Sequence, residues 1–252
     1  MRDTDQDWRN VASSEPYWGV LSVDRFRGRR LSDKDLSAFF DSGEAYLQYV
    51  LDCVKSFLAP GFEIQRGLDF GCGVGRLAIP IARRARGETV GVDVAPEMLK
   101  LCAQHAAERN IKNLTLVEGD DALSRVTGTF NFINTFIVLQ HIPPDRGLAI
   151  ISGLLSHLEI GGIGVFQLTY AKARKFLKHE EARAPYYRRQ GEAIIELASR
   201  PDDRPEGSIT MYDYDLNFVF ARLQEATTFP MIVRPTDDDG HIGVQVMLKK
   251  TR

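Results

Sequence analysis

Cysteine, net charge and long apolar runs are all scarce in this chain. Its 252 residues include three cysteines, Cys53, Cys72 and Cys102, none of them spaced as a CxxC pair. Scattered thiols argue against a disulfide framework and suit a reducing compartment. The formal net charge of −2 supplies no basic field of the kind that draws nucleic acid. No stretch approaches the roughly 18 to 20 apolar residues needed to span a bilayer. Residues 1–10 are polar and acidic, without the apolar centre of a signal peptide or the Arg-rich character of a transit peptide. The expectation is a cytoplasmic protein with no membrane and no nucleic-acid partner. Repeats and low-complexity tracts are missing too. What remains is ordinary globular composition, 44% hydrophobic and 26% charged, in a length that suits one sizeable α/β domain.

Residues 1–35 are polar, with an aromatic pair at Tyr17 and Trp18, and read as an arm outside the core. Asp33 is a fair helix cap. Leu47, Val50, Leu51, Val54 and Leu58 recur at helical spacing, which predicts an amphipathic helix over about 43–58. Strands and helices then alternate. Strands are predicted at 66–70, 88–92, 114–118, 130–136 and 163–169, with helices at 77–86, 96–110 and 146–158, the last closed by Gly161 and Gly162. Repeated βα units imply a parallel sheet with helices on both faces. Residues 171–207 are charged, carry helical pieces and read as an insertion after the fifth strand. A helix over 213–226 and two strands at 230–233 and 243–248, joined by a turn at 236–240, complete the chain as a hairpin.

The residues with chemical promise sit where strands end. Leu68-Asp69-Phe70-Gly71-Cys72-Gly73-Val74-Gly75-Arg76 is a strand running into glycines and then a helix. Glycines allow a ligand close to the backbone, and a helix start offers free N–H groups to an anion. Asp93 ends the second strand, at the remove where a carboxylate receives both hydroxyls of a ribose. Read alone, Asp93 is better taken as a cap for the helix starting at Pro96. Val94 and Met98 are placed to flank an adenine. Asp120 and Asp121 follow the third strand and can accept from an adenine amino group, or form a solvated turn.

Taken together, these segments resemble class I S-adenosylmethionine-dependent methyltransferases of the small-molecule type. The glycine loop, Asp93 and Asp120 match that family's loop, ribose acid and adenine acid. Phe130-Asn131-Phe132-Ile133-Asn134-Thr135-Phe136-Ile137-Val138-Leu139-Gln140-His141-Ile142-Pro143 resembles its fourth-strand motif, and Leu158 to Gly164 its approach to the fifth strand. The resemblance implies a Rossmann-like, doubly wound, seven-stranded, mostly parallel sheet with a terminal antiparallel hairpin. It implies S-adenosyl-L-methionine as cofactor, with its methionine part beside Asp69, Gly71 and Asn134. Cys72, Gly73, Arg76, Val94, Met98, Asp121 and Leu139 complete the expected cofactor contacts, and Ser42-Gly43 resembles a lid element at the methionine end. The implied organisation is an arm or lid over residues 1–42 and a cofactor-binding domain over 43–252, with 171–207 as cap. One departure is Asn131, where many relatives carry an acid, which weighs against a carboxylate base there.

The implied reaction is methyl transfer to a small molecule, at a hydroxyl, by in-line displacement. His141, after the fourth strand, is the candidate base, its ordinary pKa of about 6.5 suiting proton transfer. Tyr170 and His241 are weaker alternatives, and the structural alternative for His141 is a turn residue. No Asn-Pro-Pro-Tyr or Asp-Pro-Pro-Tyr sequence follows the fourth strand, and in this family that feature marks amide or base nitrogens as acceptors. No metal constellation stands out, and Asp237-Asp238-Asp239 reads as a solvated turn. Lys172, Arg174, Lys175, Lys178, Arg183, Arg188 and Arg189 in the insertion suggest an anionic acceptor, against the alternative of a solvated helix. Rival functions are a methyltransferase acting on protein or nucleic acid, a non-catalytic cofactor-binding scaffold, and a nicotinamide dehydrogenase. The Gly-x-Gly-x-Gly spacing, the helix before the first strand and the terminal hairpin argue against the dehydrogenase.

Overall fold

Local sequence signals start most of the helices. The structure, a computed structural model, describes residues 3–173, 186–190, 193–198, 209–227 and 230–252, with backbone alone over 186–198. Asp3 caps helix α1 (Thr4–Ser14) through the amides of Asp5 and Gln6, and Pro16 opens α2 (Pro16–Val20). Ser32 caps α3 (Asp33–Phe57) by accepting from the Asp35 amide. The cap is therefore one residue ahead of the expected Asp33, and α3 begins ten residues before 43. The division expected between 42 and 43 falls inside this helix.

Strand β1 (Gly67–Phe70), helix α4 (Ala78–Arg84), β2 (Thr89–Asp93), α5 (Pro96–Glu108), β3 (Leu114–Glu118), β4 (Phe130–Thr135), α6 (Pro144–His157) and β5 (Leu158–Lys172) follow in the expected order. After the insertion come α7 (Leu216–Gln224), β8 (Met231–Asp238) and β9 (His241–Lys249). The seven-stranded sheet runs β3-β2-β1-β4-β5-β9-β8, parallel through β5 and antiparallel at β9 and β8. Helix α6 ends before Gly161 and Gly162, because β5 already starts at Leu158, which pairs with Phe130 across a register shift. The terminal hairpin is longer than expected. Asp239 and Gly240 both adopt positive φ, 48° and 92°, which makes a two-residue turn that keeps the strands paired to Asp238 and His241.

The insertion stands where it was expected. Its described part is an antiparallel ribbon of β6 (Tyr186–Gln190) and β7 (Ala193–Ala198). Helical pieces were expected within 171–207, and this described part is strand instead, while 174–185 and 199–207 lie outside the described residues.

Both faces of the sheet are covered. α6 and α7 pack on one side, with Ile151, Leu154, Val219 and Leu223 against Leu68, Ile133 and Phe166. α3 and α4 pack on the other, with Leu47, Val50, Val54 and Ile81 against Phe132, Val165 and Met247. The arm belongs to the core as well, which corrects the expectation for residues 1–35. Ala12, Tyr17 and Phe26 are buried with Phe39, Val74 and Met98. Tyr17 donates or accepts at Nε2 of His105 over 2.8 Å, and Nδ1 of His105 meets Glu108 at 3.1 Å, so a polar thread pins α2 to α5.

The Tyr214 hydroxyl sits 2.8 Å from the Leu139 carbonyl and 2.9 Å from that of Ile142, tying α7's approach to the loop after β4. A Cβ at Gly147 would stand 1.9 Å from this oxygen. Gly147→Ala is expected to cost about 1 to 3 kcal/mol by overpacking. Denaturant unfolding should show a lower midpoint with an unchanged slope.

Candidate functional site

In the sheet order, β1 lies between β2 and β4, so the chain leaves β1 in one direction and returns on the other side. A crevice opens at the C-terminal strand ends wherever a doubly wound sheet reverses in this way. An open cleft lies there, enclosing about 820 Å³ of space with solvent included. Gly71, Gly73, Asp93, Val94, Met98, Asp120, Asp121 and His141 line it. Asp69, Cys72, Arg76, Asn134 and Leu139, also expected at the site, are buried and do not line it. Leu139 packs in the core beside α6, and the Cys72 thiol faces Cys102 beneath the loop.

The glycine loop needs its glycines. Gly71, Gly73 and Gly75 have φ of 73°, 51° and 94°. A Cβ on Gly71 would lie 2.2 Å from Val138, and one on Gly73 would lie 2.5 Å from Val20. The loop is tied to β2, since the amides of Gly71 and Cys72 both donate to the Val92 carbonyl at 2.8 and 2.9 Å. The Asp93 carboxylate is fixed between the loop and the start of α5 by two backbone amides. One oxygen accepts from the Gly73 amide at 2.8 Å and the other from the Ala95 amide at 2.9 Å, just ahead of α5. Each carboxylate oxygen keeps a further acceptor site for a ligand hydroxyl. Burial pushes the Asp93 carboxyl up to about 6, against the pull of those amides.

Behind the loop, Asp69 is 2% exposed and accepts from Nδ2 of Asn134 at 2.8 Å. Burial pushes its carboxyl up to about 7, opposed by the Asn134 N–H and the nearby Arg76. Arg76, 4% exposed, donates to the Ser42 hydroxyl at 3.1 Å, while its Nε has no partner. The close approach of α3 to this arginine requires Gly43, whose Cβ would lie 2.1 Å from the Arg76 carbonyl oxygen.

The acids after β3 have neighbours of their own. Asp120 accepts from the Ser124 amide at 2.9 Å and from the Ser124 hydroxyl, which holds its carboxyl below the usual range and closes a turn. Asp121 makes a two-pronged pair with Arg146, at 2.6 and 2.7 Å. Arg146 also donates to Asp5 at 3.0 Å and to the Thr4 hydroxyl at 3.0 Å. The arm therefore lies along the cleft, with Thr4, Asp5, Trp8, Gly19 and Val20 in its lining. Sequence reasoning missed these residues and Arg146. The spacing of Thr4, Trp8, Val11 and Ala12 on one helical face was the available signal for a packed arm.

His141 is buried, with Nδ1 2.9 Å from the Thr210 carbonyl and its ring edge-on to Trp8 at 4.8 Å. A carbonyl only accepts, so Nδ1 carries the proton and Nε2 is bare. Burial pushes the imidazole down to about 4, with the positive neighbours His241 and Lys172 adding to the effect, so it is neutral at physiological pH. Tyr170 is partly exposed at the end of β5, and His241 pairs in register with Lys172. Lys172 is bound to Asp213 at 2.6 Å, so its charge is already balanced and it drops out of the expected basic patch. Arg174, Lys175, Lys178 and Arg183 lie outside the described residues, as do the side chains of Arg188 and Arg189. Asn131 stands far from the cleft chemistry. Its amide accepts from the Gln65 and Arg66 amides at 2.8 and 3.1 Å and donates to the Glu63 carbonyl at 2.8 Å, a structural role. Asp237 accepts from the Gly240 amide at 2.6 Å within the terminal turn. Among the described residues no group of three His, Cys, Asp or Glu side chains is arranged to hold a metal, and no helix is long and apolar enough to cross a membrane.

Raised carboxyl pKa values give a signed prediction. Between the ordinary Asp value and about 7, folded Asp69 holds a proton that the unfolded chain releases, so its contribution to stability falls as pH rises through this window. Asp69→Asn removes that loss. In denaturant unfolding the variant should gain on the wild type from about pH 5 to pH 8, and a parallel pair of stability profiles would refute the assignment.

Residues 68–162 match the family model described as a methyltransferase domain. The ubiquinone biosynthesis O-methyltransferase of Xanthomonas campestris pv. campestris (strain B100) is 32% identical over 114 residues, 44% of this chain and 45% of that protein. The ribosomal protein L11 methyltransferase of Ralstonia pickettii (strain 12J) is 34% identical over 96 residues, 38% of this chain and 30% of that protein. The chain thus spans less than half the length of these curated relatives. Among solved structures, the N-methyltransferase NodS of Bradyrhizobium japonicum WM9, in complex with S-adenosyl-L-homocysteine, superposes with a TM-score of 0.62. That match has 13% identity and covers 100% of both chains, which shows a shared fold.

Proposed function

We propose that the chain is a class I S-adenosylmethionine-dependent methyltransferase, on the strength of its methyltransferase domain at residues 68–162, and that it methylates a small molecule, at a hydroxyl, using S-adenosyl-L-methionine. The observation that carries the proposal is the placement of Asp93 opposite Gly71 and Gly73 in one cleft at the reversal of the sheet. Asp93 receives the ribose hydroxyls. Val94 and Met98 flank the adenine, with Asp120 and Asp121 at its rim. The methionine end lies at Gly71, above Asp69 and Asn134, with Arg76 and Ser42 behind it. Cys72 and Leu139 support this arrangement from the core. The bound cofactor supplies a methyl group made electrophilic by its sulfonium.

The protein's own work is positioning, exclusion of water and handling of the acceptor proton. Neutral His141 presents a bare Nε2 to the cleft side of the loop after β4. So low a basicity counts against His141 as the general base expected from its ordinary pKa and suits it to orient an acceptor hydroxyl by accepting its hydrogen bond. The segment before α3, with α1 and α2, acts as the arm and lid. Thr4, Asp5 and Trp8 cover the cleft, and Arg146 latches them to Asp121. Such a covered cleft favours a small acceptor over a protein or nucleic acid. The finer idea of an anionic acceptor loses Lys172 and rests on the rest of the insertion.

Calorimetric titration tests the cofactor. S-adenosylhomocysteine should bind, Asp93→Ala should weaken it by about tenfold or more, equivalent to at least 1.4 kcal/mol, and NADH should not bind. Binding of NADH alone would move the protein to hydride transfer. The lid has its own readout. Arg146→Ala should speed release of S-adenosylhomocysteine about tenfold, with a smaller change in association, as expected when closed-state contacts are lost. Unchanged release would refute the latch.

A further inference from the structure

Four buried or half-buried side chains from four elements form one line of hydrogen bonds behind the glycine loop. Gln245 of β9 donates from Nε2 to the Tyr46 hydroxyl oxygen at 2.8 Å. Tyr46 of α3 donates to Oδ1 of Asn134 at 3.1 Å, and Nδ2 of Asn134 on β4 donates to Oδ1 of Asp69 on β1 at 2.8 Å. The direction of this line is set by chemistry. Once ionised, Asp69 can only accept, so Asn134 turns its N–H to it. Its amide oxygen then faces Tyr46, which must donate, and the Tyr46 oxygen is left to accept from Gln245. The Tyr46 ring is held in place against Phe136, with centroids 4.3 Å apart.

We propose that Tyr46, oriented by Gln245, is a positioning residue for the methionine end of the cofactor: it locks the Asn134 amide so that its N–H faces Asp69. This rests on the cofactor site argued above. With the hydroxyl gone, Oδ1 of Asn134 loses its donor and the amide can turn over. Its oxygen then confronts Asp69, a contact that only the protonated carboxyl tolerates. Tyr46 thus selects the ionised carboxylate that suits an ammonium group nearby. The other groups facing Asp69 are Arg76 and the Ala78 amide, which favour the ionised form, and Asp93, which opposes it.

The test compares wild type and Tyr46→Phe by calorimetry with S-adenosylhomocysteine and 5′-methylthioadenosine, which lacks the amino-acid part. Near pH 6.5 the variant should bind S-adenosylhomocysteine about tenfold more weakly than wild type, the equivalent of one pKa unit, and the deficit should shrink to about twofold near pH 9. Methylthioadenosine should bind both proteins alike at every pH. Gln245→Leu, which keeps the hydroxyl but frees its orientation, should show a smaller deficit of the same pH dependence. It serves as the test if Tyr46→Phe does not fold. A deficit independent of pH, an equal loss of methylthioadenosine, or no deficit would overturn the proposal. Wild-type protein that binds methylthioadenosine but not S-adenosylhomocysteine would overturn it too. Failure of the wild type to bind either ligand would overturn the cofactor reading itself.

Discussion

Asp69 and Asn134 stand side by side across β1 and β4, at the place where the sheet reverses direction. Their hydrogen bond, 2.8 Å long and buried, joins the two strands whose ends open the crevice. Much of the site depends on this pair. The glycine loop springs from β1 one residue after Asp69, and the loop carrying His141 springs from β4 just after Asn134. A buried carboxylate costs a good deal unless it is hydrogen-bonded. That constraint accounts for the polar side chains gathered around it, from Arg76 to Tyr46 and Gln245, in an otherwise apolar core.

The second organising feature is the arm. It is attached at both ends by polar contacts with different characters. Near its start, a half-buried Arg146 gathers Thr4, Asp5 and Asp121, and its own charge is reinforced by those acids. Farther on, Tyr17 meets the buried His105, whose basicity is lowered chiefly by burial. Between these anchors, Trp8 meets His141 and Val20 presses on Gly73. The arm therefore reaches the glycine loop, Asp121 after β3 and the loop after β4 together, so its position reports on all three.

The matched relatives include an O-methyltransferase and a ribosomal protein methyltransferase, and a similarly folded protein is an N-methyltransferase. Such variety is expected when cofactor and acceptor are handled by different parts of a fold. The matched residues 68–162 carry the glycine loop, Asp93, Asp120 and His141. The arm, the insertion and the ends of β5, β8 and β9 lie outside that span, and these are the parts free to shape an acceptor.

Strand order, the parallel sheet, the terminal hairpin and the glycine loop were legible from local pattern: alternation, caps, and glycines where φ must be positive. The placement of Asp93 at the end of β2, between the glycine loop and α5, was legible because a lone carboxylate at a strand end followed by Pro96 marks that junction. The length of α3 was misjudged because its first turns are polar, and the hairpin's strands were cut short because Pro235 and the acids around it look like a loop. The basic residues from Arg174 to Arg189 offered charge alone to the sequence reading. Asp5, Arg146, Tyr46 and Gln245 gave no local sign of their roles. Their partners lie far away in the chain, at 141 residues from Asp5 to Arg146 and 199 from Tyr46 to Gln245. Periodicity and capping act over a few residues, whereas these contacts exist only once the sheet has closed and its helices have packed.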